Sequence, residues 1–428
     1  MRIVRKLSTL LLLLGFFSQV RAAYIFIPMD PKQKNHLKAY GITYWVLDHN
    51  VEAFWLLNYR GGSFAFPSTK VFEKECITRD VSYEVISDGE FERIKAEIAN
   101  PEVNQEVMKL EKPPKVAVYT PEFNERGERL QPWDDAVTLA LTYAEIPFDK
   151  IYDREIIGGM LAKYDWLHLH HEDFTGQYGK FYSGYHNHPW YIENQKRQET
   201  LAAELGFSKV SMLKLAVSKR IKEFVGGGGF MFAMCSATDS YDIALCAEGT
   251  DICAHFFDGD AADTEPDSKL DFSKSFAFKN FYLEKNPMIY EFSNIDQNPR
   301  DRSIAPENDY FTLFDFSAKW DPIPTMLTQN HTRTVKGFMG QTTAFKKSVI
   351  KSDVLVLGET KALDEVRYIH GTQGFGTWTF YAGHDPEDYQ HQVGDPPTDL
   401  NLHPNSPGYR LILNNILFPA AKKKERKT

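Results

Sequence analysis

GGGGFMFAMCSATD, residues 226–239, is the stretch that decides the fold. Phe230–Met234 predicts an apolar strand that runs straight into Cys235, and a helix is predicted to begin within a few residues of it. A nucleophile on such a strand-to-helix turn needs small residues two positions either side, and Ala233 and Ala237 supply them. The stretch therefore predicts a strand whose carboxyl end carries a candidate nucleophile, Cys235.

The alternation of strands and helices continues on both sides of this stretch. Strand-helix-strand segments at this spacing form parallel βαβ units. We therefore expect an α/β fold with a doubly wound, mostly parallel sheet, in which ligands bind beyond the carboxyl ends of the strands. The predicted strands are 115–119, 148–152, 165–170, 230–234 and 376–382, and the predicted helices are 132–144, 211–225 and 409–417.

The chain is expected to divide into two units, because its 428 residues exceed the size of one typical domain. A small N-terminal α/β unit spans residues 23–112, and residues 42–47 within it have the composition of a strand. The larger unit spans residues 113–428 and carries an irregular insertion at about 251–365, where hydrophobic periodicity is poor.

The first 22 residues have the pattern of a secretory signal peptide. Arg2, Arg5 and Lys6 precede an apolar run, and the segment closes at Ala22. The apolar run is shorter than the roughly 20 residues that a membrane span needs. We therefore expect an exported protein, periplasmic or secreted, that begins at Ala23 after cleavage and does not insert into the membrane.

The charge of the chain argues against nucleic acid as a partner. The formal net charge is −9 at pH 7, and loss of the basic first 22 residues would make it more negative. Phosphate binding needs a basic face. The aromatic-rich stretch 174–191 instead offers ring faces on which a sugar can stack, so a small molecule or a carbohydrate is the expected ligand.

Cys235 is the strongest candidate for chemistry. The N-terminus of the following helix would favour its thiolate, so we expect a lowered pKa, and the Ser236 amide is a candidate oxyanion donor. The remaining cysteines, Cys76, Cys246 and Cys253, are interpreted as buried free thiols, with a disulfide between Cys246 and Cys253 as the alternative.

Over about residues 113–418 the chain resembles the class I glutamine amidotransferase superfamily and the related ThuA-like proteins. The resemblance rests on the Cys235 turn and on GTWTFYAGH, a late strand that ends at His384. It implies a flavodoxin-like sheet with Cys235 as the nucleophile that attacks an amide and His384 as its base. Glutamine hydrolysis or amide transfer would be the corresponding activity.

The resemblance also implies a carboxylate that orients the histidine. Glu387 is the nearest match, although it lies three residues after His384 where the superfamily usually has two. Asp385 or Asp388 could substitute for it. Alanines replace both glycines of the superfamily's nucleophile motif, and its glycine-rich oxyanion loop has no clear counterpart.

The whole chain further resembles a family of exported bacterial proteins often labelled asparagine synthetase B. The motifs WLHLHHEDFTGQYGKFY, FMFAMCSATDS and GHDPEDYQH carry this resemblance. Glutamine-dependent asparagine synthetases begin with a cysteine directly after Met1, where this chain has Arg2, and they carry an S-G-G-x-D-S loop that is absent here. The label therefore does not imply its chemistry.

A histidine-rich stretch follows the third predicted strand of the larger unit. His168 and His170 project to one face of a strand, and His171, Glu172 and Asp173 fall at the expected active-site edge. Two imidazoles and a carboxylate could bind zinc or a similar divalent ion. Alternatively, His168 and His170 are core histidines bonded to the backbone, and only the last three residues reach the cleft.

Three functions remain open from the sequence. The first is a cysteine-dependent amide hydrolase or amidotransferase-type enzyme that uses Cys235, His384 and Glu387. The second is a non-catalytic protein that binds a carbohydrate or another ligand on the same fold. The third is a metal-dependent hydrolase that uses His168, His170 or His171 with His384. No cofactor is predicted apart from this divalent metal.

Overall fold

A computed structural model of the chain describes residues 23–121, 135–297, 302–392 and 394–421. The predicted signal peptide, residues 1–22, lies outside the described residues. The same holds for the start of the helix predicted from residue 132.

The N-terminal unit, described from residue 23 onward, is a five-stranded sheet flanked by helices. Its strands are β1 (Ala23–Ile27), β2 (Ala53–Leu57), β3 (Ser63–Pro67), β4 (Glu84–Ser87) and β5 (Glu106–Leu110), and its helices are α1 (His36–Asp48), α2 (Lys70–Thr78) and α3 (Asp88–Ala99). The strand order is β4-β1-β3-β2-β5, and neighbouring strands are antiparallel.

The strand predicted at residues 42–47 is wrong, because these residues lie within α1. Asn35 starts this helix, and its side-chain oxygen accepts a hydrogen bond from the Lys38 amide at 2.9 Å. The helix is buried on nearly all sides, so its apolar residues show no amphipathic period. Gly41 permits this burial, since a Cβ there would lie 1.7 Å from the carbonyl oxygen of Ala144.

The larger unit is built on a sheet of ten strands in the described residues. They are β6 (Val116–Tyr119), β7 (Asp149–Ile151), β8 (Trp166–Leu169), β9 (Phe230–Met234), β10 (Tyr310–Leu313), β11 (Thr334–Lys336), β12 (Phe345–Lys346), β13 (Leu355–Thr360), β14 (Glu365–Gln373) and β15 (Gly376–Tyr381). The order is β11-β10-β13-β14-β15-β9-β8-β6-β7, and β12 pairs with β14.

This sheet is mixed, whereas a mostly parallel sheet was expected. The run β7-β6-β8-β9-β15 is parallel throughout. The insertion contributes β10 to β13, and these strands pair antiparallel with one another or with β14. β10 falls within a short β segment expected at residues 310–315, whereas β11 and β12 were too short to predict. β14 was missed because it is not an apolar run: Glu365 and Arg367 are buried within it as ion partners.

Helices cover both faces of the parallel strands. Val116 and Val118 of β6 face one core, whereas Ala117 and Tyr119 face another. The first core contains α1, α4 (Ala136–Ala144) and α12 (Pro407–Leu417), and the second contains α8 (Val210–Gly226) and α9 (Ala237–Cys246). These helices of the larger unit are α4 (Ala136–Ala144), α5 (Asp153–Ile157), α6 (Tyr182–Tyr185), α7 (Pro189–Glu204), α8 (Val210–Gly226), α9 (Ala237–Cys246), α10 (His255–Asp258), α11 (Pro322–Leu327) and α12 (Pro407–Leu417).

The two units share one core and are joined by buried polar contacts. Arg410 of α12 is fully buried and donates to the carbonyl oxygens of Met29, at 3.1 Å, and Gly61. His36 of α1 lies 2.8 Å from the Asn405 side chain. The C-terminal helix therefore completes the packing of the N-terminal unit.

Over the described ranges, no helix combines the length and the apolarity that a bilayer crossing requires. The four cysteines all lie in described ranges, and each is buried with a free thiol. A disulfide between Cys246 and Cys253 is therefore not formed.

Candidate active site at the end of strand β9

Cys235 occupies a strained turn between β9 and α9. Its φ is +51°, a left-handed conformation that is costly for a residue other than glycine. The turn is fixed from outside, because the amide of Ala237 donates to the carbonyl oxygen of His170 at 3.0 Å. The strand-to-helix turn predicted from the sequence is present. It holds the backbone of Cys235 in an unfavourable conformation, which calls for a functional explanation.

The sulfur of Cys235 lies among backbone amides. Hydrogen bonds from the backbone N–H groups of Thr342, Gln341 and Ser236 lower the thiol's pKa, but burial outweighs them and raises it to about 11. The lowered pKa expected from the sequence is therefore wrong: the side chain is only 3% exposed, and desolvation of the thiolate dominates. The resting side chain is a protonated thiol at neutral pH.

The insertion supplies much of the site through the loop 338–344. The amide of His384 donates to the carbonyl oxygen of Met339 at 2.9 Å, and the amide of Gly383 donates to that of Thr342 at 2.8 Å. Gly340 packs against both candidate catalytic residues: a Cβ there would be 3.1 Å from Cys235 Sγ and 2.8 Å from the backbone nitrogen of His384. The loop therefore brings Cys235 and His384 to one place.

Two buried carboxyl groups hold this loop. Asp239 accepts a hydrogen bond from Thr342 Oγ1 at 3.0 Å, and Asp296 accepts from the amides of Thr343 and Ala344 at 2.8 and 3.1 Å. Burial raises the pKa of Asp239 to about 7, and it also raises that of Asp296. Neither residue was predicted from the sequence to belong to the site, although Asp239 lies within residues 226–239.

His384 contacts another histidine. Its Nδ1 lies 3.1 Å from Nε2 of His170, and its ring stacks on that of His391 with the centroids 4.5 Å apart. A ring nitrogen of His170 is in turn 3.8 Å from Asp135 Oδ1. Asp135, His170 and His384 therefore form a chain from a buried carboxylate to the candidate base.

Asp135 was missed as a site residue, although the sequence shows it at the start of a predicted helix. Its Oδ1 caps α4 by accepting from the amides of Val137 and Thr138, at 2.7 and 2.9 Å. Burial raises its pKa, but His168 and His170 outweigh burial and hold the pKa well below the usual range. Asp135 is therefore ionised beside the histidines.

The residues expected to orient His384 have other partners. Glu387 lies 3.1 Å from Nδ1 of His403. Asp385 accepts from the Tyr409 hydroxyl at 2.8 Å and from the Glu387 amide at 2.9 Å, so it shapes the turn after His384. The chain through His170 is thus the better placed orienting group.

The metal candidate His168 and the cleft candidate Asp173 are buried in structural contacts. His168 lies 3.1 Å from the Phe232 carbonyl oxygen and 3.2 Å from Asp135, which fits the core interpretation. Asp173 accepts from the amides of Thr175 and Gly179 and shapes its own loop.

Glu172 belongs to a buried polar network on the other face of the sheet. The Tyr152 hydroxyl is 3.3 Å from Glu172, and burial raises the carboxyl pKa to about 7. Lys214 joins the network by an ion pair with Asp153 at 2.9 Å and a hydrogen bond to Tyr152. Glu172 therefore lies behind the site.

Histidines that could hold a metal lie at the same edge. Single ring nitrogens of His170, His171 and His384 all lie within 4.8 Å of one another. Two nitrogen ligands of a tetrahedral zinc ion lie about 3.3 Å apart, close to the distance between His170 and His384. Asp135 behind His170 resembles the carboxylate that commonly supports a histidine ligand. His170 and His384 therefore fit either a histidine pair beside a buried carboxylate or a metal site.

Comparisons with known proteins give no assignment. No family model and no curated protein matches the chain. The distant matches among solved structures include the cytoplasmic proteins STM3548 from Salmonella typhimurium (11% identity, TM-score 0.34) and STM1381 from Salmonella typhimurium LT2 (12%, 0.35), and the GH42 β-galactosidase Gan42B (12%, 0.28). The first two matches each cover 72% of this chain and 100% of the other, and the third covers 64% and 28%. TM-scores this low support no conclusion about fold or function.

Proposed function

We propose that the protein is an exported, cysteine-dependent amide hydrolase of the class I glutamine amidotransferase-like, ThuA-like type. The observation that carries the proposal is the left-handed Cys235, whose sulfur faces the amides of Ser236, Gln341 and Thr342. Strain of this kind concentrates at functional sites. Backbone amides around a sulfur stabilise negative charge on it or on an adjacent oxyanion.

The proposed reaction passes through a thioester. Cys235 Sγ attacks the amide carbon while His384 takes the thiol proton, and the amine leaves with that proton when the C–N bond breaks. Water then attacks the thioester carbon, His384 again acts as base, and the acyl group leaves as a carboxylic acid. Because the resting thiol is protonated, removal of its proton by the base belongs to the attack itself.

The other residues of the site have supporting roles in this proposal. With Nδ1 of His384 facing His170, Nε2 is the nitrogen that would take the thiol proton. Asp135 stabilises the cation that then forms, acting through His170. The Ser236 amide and the loop amides are the proposed oxyanion donors.

The strand order supports the finer fold assignment. The parallel run β7-β6-β8-β9-β15 has its strands in the sequence order second, first, third, fourth and fifth, as in doubly wound flavodoxin-like sheets. Cys235 and His384 follow adjacent strands at the carboxyl edge, where such folds bind ligands.

Export stays a prediction from residues 1–22, and intact-mass measurement of the protein recovered from the cell envelope would test it: we expect a start at Ala23.

A metal-dependent hydrolase is the second candidate, favoured by the grouping of His170, His171 and His384. In that case the ion would activate a water molecule, and Cys235 would shape the site without forming a covalent bond. The two candidates require different atoms, so one experiment separates them.

The experiment measures ammonia or amine release from a panel of small amides that includes glutamine. For the proposed hydrolase, Cys235→Ser abolishes release and dialysis against a chelator leaves it unchanged, and a rapid quench traps an acylated chain by mass. Metal dependence with an active Cys235→Ser variant would establish the second candidate instead. His403→Ala is the matched control, because His403 contacts Glu387 and lies outside the proposed chain.

A further inference from the structure

The loop 338–344 is closed at its base by the side chain of Arg367. Nη1 of this residue donates to the carbonyl oxygens of Phe338 and Thr343, at 2.7 and 2.8 Å. These two carbonyl groups bracket the loop amides that contact the sulfur of Cys235. One nitrogen of one side chain therefore fixes the distance between the two ends of the loop.

Arg367 is itself held by two buried carboxylates. Its Nη2 donates to both oxygens of Asp309, at 3.0 and 2.9 Å, and its Nε donates to Glu365 at 3.3 Å. Arg302 binds the same two carboxylates, with Nη2 2.8 Å from Asp309 and 2.7 Å from Glu365. These four side chains, called the ion cluster below, are each at most 2% exposed. Because buried charges must be paired with good geometry, the ion cluster gives the guanidinium of Arg367 one position.

The backbone of Arg367 contacts the strand that leads to the candidate base. Its carbonyl oxygen accepts a hydrogen bond from the amide of Ala382 at 2.8 Å, and Ala382 lies two residues before His384. The side chain of Arg367 meanwhile reaches the loop that faces Cys235. One residue of β14 thus contacts both the segment before the base and the loop beside the nucleophile.

We infer that Arg367 is a positioning residue: its guanidinium holds the loop 338–344 against Cys235 and so keeps the backbone amides of the loop at the sulfur. An arginine suits this role because its planar guanidinium carries five N–H groups, which here serve two carbonyl groups and two carboxylates together. The ammonium of a lysine has a single nitrogen and cannot span all four acceptors. Asp239 and Asp296 bind O–H and N–H groups of the same loop, whereas Arg367 binds its carbonyl groups. The same amides are the proposed oxyanion donors, so the catalytic part of the inference rests on the proposed function.

The test compares the thiol in two full-length variants, Arg367→Lys and Arg302→Lys. Both keep a positive charge and both weaken the ion cluster, but Arg367 donates to the loop whereas Arg302 donates to the two carboxylates. We expect iodoacetamide at pH 7 to label Cys235 about tenfold faster in Arg367→Lys, because loss of one net hydrogen bond makes opening of the loop about tenfold more frequent. In Arg302→Lys the labelling rate should change less than about twofold, as expected for a residue without a bond to the loop. Peptide mass spectrometry measures both rates, and buried Cys76 reports general unfolding and should keep its rate.

Kinetics tests the catalytic part separately. On an amide that the protein hydrolyses, Arg367→Lys should lower kcat about tenfold and leave KM within about twofold, because displaced oxyanion donors act in the transition state. Faster labelling of Cys235 together with a lower kcat is the combined signature of a displaced loop. A general loss of stability would instead accelerate labelling in both variants and at Cys76, and that result overturns the inference.

Hydrogen exchange of the unsubstituted protein is a second measurement, which does not depend on a variant that folds. Peptides from residues 338–344 should be protected as well as those from β14, since Arg367 joins the two segments. Exchange of the loop about a hundredfold faster than that of β14 overturns the inference, and so does unchanged labelling of Cys235 in folded Arg367→Lys. If Arg367→Lys exposes Cys235 but the unsubstituted protein hydrolyses no amide of the panel, the positioning role stands and the proposed hydrolase fails.

Discussion

Nε2 of His170 lies 3.1 Å from Nδ1 of His384, so the candidate base is held by a second imidazole. Glu387, which the resemblance implied for this role, lies against His403 instead. In this arrangement a carboxylate acts on the candidate base through a second histidine and not by direct contact. Asp135, next to the other ring nitrogen of His170, supplies the negative charge. The contributions of Asp135 and Glu387 to catalysis can therefore be compared directly by mutation.

Asp135→Asn should lower kcat about tenfold or more, the effect typical of a supporting carboxylate, and leave KM unchanged. The amide oxygen of asparagine can still cap α4, but the charge beside His168 and His170 is lost, so the free energy of unfolding should fall as well. Glu387→Gln should change kcat less than about twofold, as expected for a residue outside the chain. Steady-state kinetics on both variants, with urea unfolding as the control, would decide between them, and the reverse ranking would restore Glu387 as the orienting group.

Cys235 should react slowly with iodoacetamide at pH 7, because burial raises its pKa to about 11. Its labelling rate should rise about tenfold per pH unit from pH 7 to pH 9, as the thiolate fraction rises. Peptide mass spectrometry measures the rate, with buried Cys76, whose pKa is raised to about 12, as the internal reference. Fast labelling that is already independent of pH at neutrality would show the lowered pKa that the sequence predicted.

Gly340→Ala should disrupt the site, because the new Cβ would lie 2.8 Å from the backbone nitrogen of His384 and 3.0 Å from the Gly383 carbonyl carbon. Backbone atoms cannot move aside cheaply, so we expect the free energy of unfolding to fall by about 1–3 kcal/mol and activity to fall with it. Gly89→Ala is the control: no atom lies within 4 Å of its Cβ, and alanine should stabilise α3 slightly. Equal unfolding midpoints for the two variants would show that the loop yields.

The free energy of unfolding should fall as the pH is lowered, because of protonation at His36. Burial lowers its pKa to about 4, with Arg410 adding to the effect, whereas the unfolded chain titrates near 6.5. A depressed histidine pKa means that the unfolded state binds the proton first, so this contribution to stability is complete above about pH 6.5 and is lost as the pH falls towards 4. Between pH 7 and pH 4.5, the free energy of unfolding of His36→Gln should fall by about 2 kcal/mol less than that of the unsubstituted protein. His188→Gln, at an exposed histidine, is the control, and unchanged pH dependence in His36→Gln would refute the assignment.

The sequence predicted those elements whose burial follows a simple period. β9 has its predicted bounds, and α8 and α12 are within a few residues of theirs. Residues 42–47 of α1 were predicted as a strand because a helix buried all round has no polar face, and β14 was missed because ion pairs replace its apolar residues.

The site was predicted in part for the same reason. Cys235, His384 and His170 follow predicted parallel strands, so their placement at one edge could be inferred from topology. Gln341 and Thr342 belong to an insertion without periodicity, and nothing local indicates that they reach the sulfur. The thiol pKa depends on how completely these distant residues exclude water, which local sequence does not encode.

Because Arg410 of α12 packs into the N-terminal unit, that unit cannot complete its folding before the C-terminal residues have been synthesised. Its guanidinium occupies the carbonyl oxygens of Met29 and Gly61, so residues near the end of the chain finish a core begun near its start. During synthesis the N-terminal residues leave the ribosome first, so the sheet of the N-terminal unit stays incompletely packed until α12 has been synthesised. A stop codon ahead of α12 would therefore leave the sheet of residues 23–110 incompletely packed as well as removing α12, and proteases would degrade the product.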